Sequence, residues 1–131
     1  MSTYEYNHRG GVFMELVQIL KALGEESRIR ILNILIDGEL CVGEIEYILG
    51  MSQSNASRHL NKLFYLQIIK CEKKSQWVFY KLNEEKIKEF PFIEELINGE
   101  FHKLNICCQD RKKLLCYKQS GMTCEELKTC K

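Results

Sequence analysis

The sequence predicts a mainly α-helical fold with one small β-hairpin, in the order α-α-α-α-β-β-α. Apolar residues recur every three to four positions along most of the 131-residue chain, which is typical of amphipathic helices. Residues 68–82 differ, because β-branched and aromatic residues there flank a short polar turn. The only proline is Pro91, so little interrupts the helices. We expect one domain over residues 1–120 and a cysteine-containing tail over residues 121–131.

The first helix is expected over about residues 11–22. Its apolar residues recur at i, i+3, i+4 and i+7, so they form one stripe along the helix. The stripe consists of Phe13, Leu16, Val17 and Leu20, followed by Leu23. A stripe of this kind needs a partner surface, either the domain's own core or a second copy of the chain.

Three short helices are expected next. Residues 27–38 have apolar residues at helical spacing and end at Gly38, and residues 42–50 repeat the pattern and end at Gly50. The third helix starts in "MSQSNASRHL", where Ser52 is the expected N-cap. Its narrow apolar stripe consists of Ala56, Leu60 and Leu63.

The face opposite that stripe carries hydrogen-bond donors and no carboxylate. These donors are Gln53, Ser54, Asn55, Ser57, Arg58, Asn61 and Lys62. The charge pattern agrees, since residues 51–82 have a net charge of +5 whereas residues 1–50 have a net charge of −4. Side chains of these types read base edges and phosphates in the major groove. The pattern therefore predicts a helix-turn-helix that binds double-stranded DNA.

Two strands, "IIKCEKK" and "WVFYKL", are expected after this helix, joined at Ser75 and Gln76. Lys73 and Lys74 make the tip basic, and together with Gln76 they are expected to contact a neighbouring phosphate or the minor groove. The hairpin would then be the wing of a winged helix-turn-helix. An ordinary surface hairpin is the alternative, and Cys71 within it is expected to be a packing residue.

The last long helix is expected over about residues 92–119. Its apolar residues are Phe92, Ile93, Leu96, Ile97, Phe101, Leu104 and Leu114. A helix after the wing finds little core left to cover, so we expect its apolar face to pair with a second copy of the chain, the dimer forming through the first and last helices. The alternative is that both helices close the monomer's own core. A two-fold dimer would place two recognition helices ~34 Å apart on an inverted repeat.

The blocks "ELCV", "SQSNASRHL" and "WVFYKL" resemble, in order and spacing, the arsenic-responsive ArsR family of dimeric winged helix-turn-helix repressors. The resemblance covers about residues 11–90. It implies a homodimer that packs through its first and last helices and represses an operon for resistance or ion homeostasis. It also implies that the repressor leaves the DNA operator when an inducer binds.

The resemblance leaves the inducer site open. Arsenic sensors of the family carry a "CVC" pattern after "EL", whereas this chain has "ELCVGEI", with Gly43 in the second cysteine position. We therefore interpret Cys41 as a packed residue at a helix start. Other members of the family bind arsenic with an adjacent cysteine pair and a later cysteine on the last helix. "CCQDRKKLLC" is similar, which makes Cys107, Cys108 and Cys116 the expected ligands of As(III), or of Sb(III).

Helix geometry restricts this site. On a regular helix Cys108 and Cys116 lie ~12 Å apart along the axis, and Cys107 and Cys116 point to opposite faces. The helix must unwind, Cys116 must come from the other subunit, or Cys124 or Cys130 must fold back. Basic neighbours are expected to lower the pKa of these thiols. These neighbours are Arg111, Lys112 and Lys113.

The tail "SGMTCEELKTCK" is expected to form a short helix after Gly121, with Thr123 and Glu126 as a capping box. Cys124 and Cys130 bracket this helix, and we interpret them as surface residues. Together with Cys41 they are secondary candidates for metal ligands.

Composition narrows the class of protein. No apolar run is long enough to span a bilayer, and the N-terminus lacks the apolar centre of a signal peptide, so we expect a cytoplasmic protein that does not bind membranes. Seven cysteines in that compartment favour thiolate chemistry or packing over a disulfide framework. Two alternatives share the scaffold: a sensor of Cd(II), Pb(II) or Cu(I), and a redox or sulfur-species sensor that pairs Cys107 or Cys108 with Cys116. No enzyme is expected, because the arsenate-reductase loop and a C-x-x-C pair are both missing.

Overall fold

The computed structural model describes residues 15–130, and it confirms the mainly α fold with a β-hairpin. The elements in chain order are α1 (helical over residues 15–23), α2 (Glu26–Ile34), β1 (Leu40–Cys41), α3 (Val42–Leu49), α4 (Gln53–Tyr65), β2 (Ile69–Lys74), β3 (Trp77–Leu82), α5 (Glu84–Glu89), α6 (Pro91–Asn98), a 3₁₀ turn (Glu100–Lys103), α7 (Asn105–Ser120) and α8 (Cys124–Cys130). The expected helix start at residues 11–14, with Phe13, lies outside the described residues.

The helix-turn-helix consists of α3 and α4, and local sequence signals fix the turn between them. Gly50 ends α3 in the left-handed conformation, with φ of 67°. Ser52 then caps α4, because its Oγ accepts a hydrogen bond from the backbone N–H of Asn55 at 3.3 Å. Both positions agree with the sequence expectation. The inward faces of α2, α3 and α4 bury the centre of the core, which includes Ile31, Leu32, Ile45, Ile48, Leu60 and Leu63.

The wing is an antiparallel hairpin of β2 and β3, in register from Lys74 opposite Trp77 to Ile69 opposite Leu82. A third strand, β1, was not expected. It pairs with β3 through Leu40 and Cys41 and gives the sheet the order β1-β3-β2. A strand of two residues is too short to show alternation in a sequence.

The prediction of a single helix over residues 92–119 is wrong, because the chain forms α6, the 3₁₀ turn and α7 over this range. A further short helix, α5, precedes them. Two features break the helix. A Cβ at Gly99 would approach the carbonyl oxygen of Glu95 to 3.1 Å, so this turn favours glycine. Leu104 then adopts an extended conformation before α7 begins. The break lets Phe101 turn inward and become buried.

The α7 helix packs on α2 and α3 of the same protomer and makes several polar contacts there. Asp110 accepts two hydrogen bonds from the Arg30 guanidinium, at 2.8 and 2.9 Å. The Asn33 amide donates to the backbone oxygen of Cys107 at 3.1 Å. Arg111 donates to the Asn33 backbone oxygen at 3.1 Å and to Asp37 at 2.7 Å. Together with the buried Cys107, Leu114 and Tyr117, these contacts hold α7 on the monomer's own core, whereas Leu104 of the expected apolar stripe is 41% exposed.

The α1 helix divides its apolar residues between core and surface. Ile19, Ala22 and Leu23 are buried, whereas 52% of Leu20 is exposed. Part of the apolar stripe expected from the sequence is therefore not buried by the described residues of the protomer. Among the described residues, no helix combines the length and the apolar character needed to cross a bilayer.

Candidate nucleic-acid interface and thiol cluster

The outward face of α4 is polar and accessible. Six of its seven expected DNA contacts are exposed, and Ser57 is half-buried. The six are Gln53, Ser54, Asn55, Arg58, Asn61 and Lys62. Ala56, Leu60 and Leu63 on the opposite side are fully buried, so the face is held against the core along its length.

His59 lies at the edge of this face and links it to α2. It is buried, with the Arg28 guanidinium 3.4 Å from Nδ1 and the Arg58 guanidinium 3.4 Å from Nε2. A neutral imidazole has one acceptor nitrogen, so it can accept a hydrogen bond from only one of the two cations. Burial lowers the pKa of His59 below its ordinary value, and the charges of Arg58 and Arg28 lower it further. The imidazole is therefore neutral at pH 7, and Arg58 keeps donors for other partners.

The wing presents Lys73, Lys74 and Gln76 as exposed side chains at or beside its tip. Lys74 is already engaged, because its ammonium forms an ion pair with Glu39 and lies 5.6 Å from the centre of the Phe79 ring. This contact ties the wing to the segment before β1. Cys71, which we expected to pack, is exposed, because after Ile69 the residues of β2 all face solvent.

The three expected arsenic ligands do not converge within the protomer. Cys107, Cys108 and Cys116 lie on α7, which is a continuous helix from Asn105 to Ser120. Cys107 is fully buried against the core, whereas Cys108 and Cys116 are exposed. The Cys108 thiol donates to the backbone oxygen of His102 at 3.2 Å. In this geometry Cys108 and Cys116 keep the ~12 Å axial separation of a regular helix.

The basic residues near these cysteines do not lower the pKa of the Cys107 thiol, as had been expected. Burial raises the pKa of the Cys107 thiol, and the nearby Asp110 and Cys108 raise it further. Arg111, which was expected to lower it, is paired with Asp37 instead. The expectation of a lowered pKa is therefore wrong for Cys107, and this thiol is held protonated.

The structure instead brings together two cysteines that the sequence ranked second. Cys41, at the start of α3, and Cys124, at the start of α8, form a disulfide whose Cα atoms are 6.8 Å apart. Both side chains are buried, so the interpretation of Cys124 as a surface residue is wrong. The tail is not separate from the domain, since α8 packs on α3 through this pair and the buried Leu127. The side chain of Cys130 lies outside the described part.

Glu44 completes a buried cluster with the two cysteines. Its Oε1 accepts from the backbone N–H of Cys41 at 2.9 Å, and its Oε2 accepts from the Tyr117 hydroxyl at 2.5 Å. Burial raises the pKa of Tyr117, and the hydrogen bond to Glu44 raises it further. Ligand atoms of Cys41, Glu44 and Cys124 all lie within 4.8 Å of one another, an arrangement that could hold a metal ion.

Sequence reasoning missed this cluster because 83 positions separate its two cysteines. One local signal was present. Glu44 stands three residues after Cys41, at the N3 position where a carboxylate bonds back to the N-cap backbone. That pattern places Glu44 at the start of the helix, but it does not indicate which distant residue joins it.

Comparison with known proteins agrees with the fold and the helix-turn-helix. The model of bacterial regulatory proteins of the arsR family matches residues 25–70. The arsenical resistance operon repressor of Bacillus subtilis is 33% identical over 97 residues, which is 73% of this chain and 82% of the repressor. A cadmium resistance transcriptional regulatory protein CadC homolog of Staphylococcus aureus is 36% identical over 77 residues, covering 58% of this chain and 64% of that protein.

Among solved structures, reduced HlyU from Vibrio cholerae superimposes with a TM-score of 0.58 at 37% identity, covering 68% of this chain and 92% of HlyU. The matched family segment, residues 25–70, contains α2, α3 and α4 and ends before α7 and α8. The chain spans a little under two thirds of the cadmium regulator's length, and more than two thirds of the arsenical repressor's. With this family match, these identities and this fold, the chain belongs to the arsR family of bacterial regulatory proteins.

Proposed function

We propose that the chain is a cytoplasmic transcriptional repressor that binds double-stranded operator DNA as a homodimer and leaves it when trivalent arsenic binds cysteine thiolates. The observation that carries the DNA-binding part is the outward face of α4, which has six exposed donors, the half-buried Ser57 and no carboxylate. The wing adds two exposed lysines, Lys73 and Lys74, of which Lys74 is paired with Glu39. Surface helices that only face water normally carry acidic residues as well, so this composition favours an anionic partner.

The dimer is supported by the apolar surface of α1. Leu20 is half exposed, and Leu16 and Val17 are only partly buried. A second copy packed on this stripe would cover them and relate two α4 helices by a two-fold axis. The operator would then be an inverted repeat whose half-sites are ~34 Å apart.

The arsenic part is supported by a relative named for arsenical resistance and by the three cysteines of α7. As(III) takes three thiolates at bonding distance, so Cys107, Cys108 and Cys116 can hold one ion only if the geometry of α7 changes or a second subunit contributes. Either route requires movement of a helix that is tied to α2 through Arg30 and Asp110. Ligand binding would thereby favour one dimer geometry, and DNA the other. Sb(III) would act in the same way.

A redox sensor is the second candidate function, and the Cys41–Cys124 disulfide favours it. In that case a disulfide-forming oxidant would change operator affinity in the wild type but not in a Cys124→Ser variant. An oxidant effect that persists in Cys124→Ser would exclude this pair as the sensor.

The DNA-binding proposal is tested with Arg58→Ala. Loss of one base-contacting guanidinium is expected to cost about 1–3 kcal/mol of operator binding, measured by fluorescence anisotropy at fixed salt. Lys118→Ala, which removes an exposed cation of α7, serves as the control and should leave affinity unchanged. Equal affinity of Arg58→Ala and the wild type would contradict the assignment of α4.

The inducer proposal is tested by serine substitution at Cys107, Cys108 and Cys116, one at a time. Each variant should bind the operator normally and fail to dissociate when arsenite is added. Cys71→Ser, a change at an exposed strand cysteine, should respond as the wild type does. If all three single variants dissociate at the wild-type arsenite concentration, the three α7 cysteines are not the inducer site.

A further inference from the structure

We propose that Cys41, Glu44 and Cys124, in the reduced protein, form a binding site for a thiophilic divalent cation of the Zn(II) and Cd(II) class. This site is separate from the three α7 cysteines, and it stands whether or not arsenite releases the protein from DNA. It uses Cys41 and Glu44 from the start of the helix-turn-helix and Cys124 from the tail, which lies beyond the segment matched by the family.

The distances suit a small metal ion. In a tetrahedral site with metal–sulfur bonds of about 2.3 Å, neighbouring ligand atoms lie roughly 3.8 Å apart. The ligand atoms of the three residues are already within 4.8 Å of one another, and all three residues are buried. The two sulfurs are joined in the disulfide, so after its reduction they must move apart, and rotation of the side chains would then place two sulfurs and one carboxylate oxygen around one ion.

The cysteines must be thiols before they can bind an ion. A dithiol reductant converts the disulfide to two thiols and is itself oxidised to a cyclic disulfide. Each thiol then releases one proton as its sulfur binds the cation. Cys41 stands at the N-cap of α3, where the helix dipole favours negative charge.

The surroundings select a cation rather than a neutral ligand. Glu44 is inside the cluster, and Glu125 lines a cleft of about 370 Å³ that reaches Cys124 between β3 and the start of α8. The cleft gives an ion a route to Cys124 and leaves room for water as a fourth ligand.

The cluster has two sulfurs rather than three because position 43 is a glycine and not a cysteine. A Cβ built at Gly43 would lie 3.9 Å from the Cys41 sulfur, which is an ordinary contact. A side chain at this position would therefore point at the site without a clash. The chain has no side chain there and supplies its second thiolate from Cys124 instead.

Occupancy of this site would act on the DNA-binding elements. Cys41 belongs to β1, where it pairs with Phe79 of the wing, and it also begins α3. An ion bound by Cys41 and Cys124 would hold α8 against both the wing and the first helix of the helix-turn-helix. Metal binding should therefore slow amide hydrogen exchange in α8.

The experiment uses the full chain with serine at positions 71, 108, 116 and 130, reduced with dithiothreitol and then freed of it without air. Cys107 remains, but it is buried and has no second cysteine beside it in this background. Cd(II) alone is titrated, and the thiolate-to-cadmium charge-transfer absorbance is measured. We expect one Cd(II) per chain and slower exchange in α8.

Three further substitutions in this background test the ligands. Cys124→Ser should lower Cd(II) affinity by at least about 100-fold, and Glu44→Gln by about tenfold. Gly43→Cys should raise As(III) affinity by more than about tenfold, because it adds a third thiolate beside Cys41. This gain cannot result from misfolding. Thermal unfolding without metal checks the fold of the two variants that lose affinity.

Two results would overturn the site. One is an unchanged Cd(II) affinity and absorbance in folded Cys124→Ser, and the other is an unchanged As(III) affinity in Gly43→Cys. Arsenite release from DNA is measured in parallel with Cys124→Ser in the otherwise wild-type chain. Normal release there, together with lost Cd(II) binding in the background variant, would confirm two separate sites. Loss of arsenite response in the α7 variants alone would leave the cation site standing.

Discussion

The helices α4 and α7 differ in where their charged groups lie. Every charged side chain of α4 is exposed, and its positive groups point away from the core. The α7 helix instead buries a charge, because Asp110 is 4% exposed and paired with an Arg30 side chain that is 18% exposed. A surface that binds a partner can be changed at little cost in stability, whereas a buried pair holds the helix in place and fails if one member is lost.

The largest loss of stability is therefore expected from a substitution in α7. Asp110→Ala removes the carboxylate that pairs with the Arg30 guanidinium and leaves only the neutral backbone oxygen of Leu49 as acceptor for a mostly buried cation, so the free energy of unfolding should fall by about 3 kcal/mol or more. Urea denaturation measures the change. Arg58→Ala on α4 should stay within about 0.5 kcal/mol of the wild type in the same assay.

A matched control separates burial from charge. Glu100 and Lys103 also form an ion pair, but both side chains are mostly exposed. Glu100→Ala should cost less than about 1 kcal/mol. If Asp110→Ala were equally mild, the contrast between the two helices would not hold.

A smaller effect is expected at the contact between α7 and α3. Tyr117→Phe removes the hydroxyl that donates to Glu44 and leaves one oxygen of a buried carboxylate without that donor. The expected loss of stability is about 1–3 kcal/mol by urea denaturation. Tyr47→Phe serves as the control, because Tyr47 packs its ring 5.7 Å from that of Tyr117 but is half exposed. A loss in Tyr47→Phe as large as that in Tyr117→Phe would contradict the assignment of the stability effect to the hydrogen bond between Tyr117 and Glu44.

The smallest expected effect is on the pH dependence of stability, through His59 of α4. The pKa of His59 is below its ordinary value of 6.5 in the folded state, so between these two values the unfolded chain binds a proton that the folded protein does not. His59 therefore makes the free energy of unfolding fall as pH drops below about 6.5. His59→Gln should remove this part of the slope, measured by urea denaturation from pH 7 downward. His102→Gln, at an exposed site, should keep it.

The same contrast explains what could be predicted from the sequence. The α4 helix, the turn before it and the hairpin depend on neighbouring residues, such as Gly50 and Ser52, so they were correctly placed. Arg30 and Asp110 are 80 positions apart, and Cys41 and Cys124 are 83 apart, so no local pattern connects them. The break at Gly99 was also missed, because the apolar spacing of residues 92–104 continues through it.

The disulfide also has a consequence for the unfolded chain. Its ends are 83 positions apart, so it closes a loop that contains the helix-turn-helix, the wing and α7. In the chain-entropy model a loop of that length restricts the denatured ensemble by about 4–5 kcal/mol of free energy. The oxidised protein would then tolerate weakening of its interior better than the reduced one. The redox state of one cysteine pair would set how much sequence variation the whole DNA-binding unit can accept and still fold.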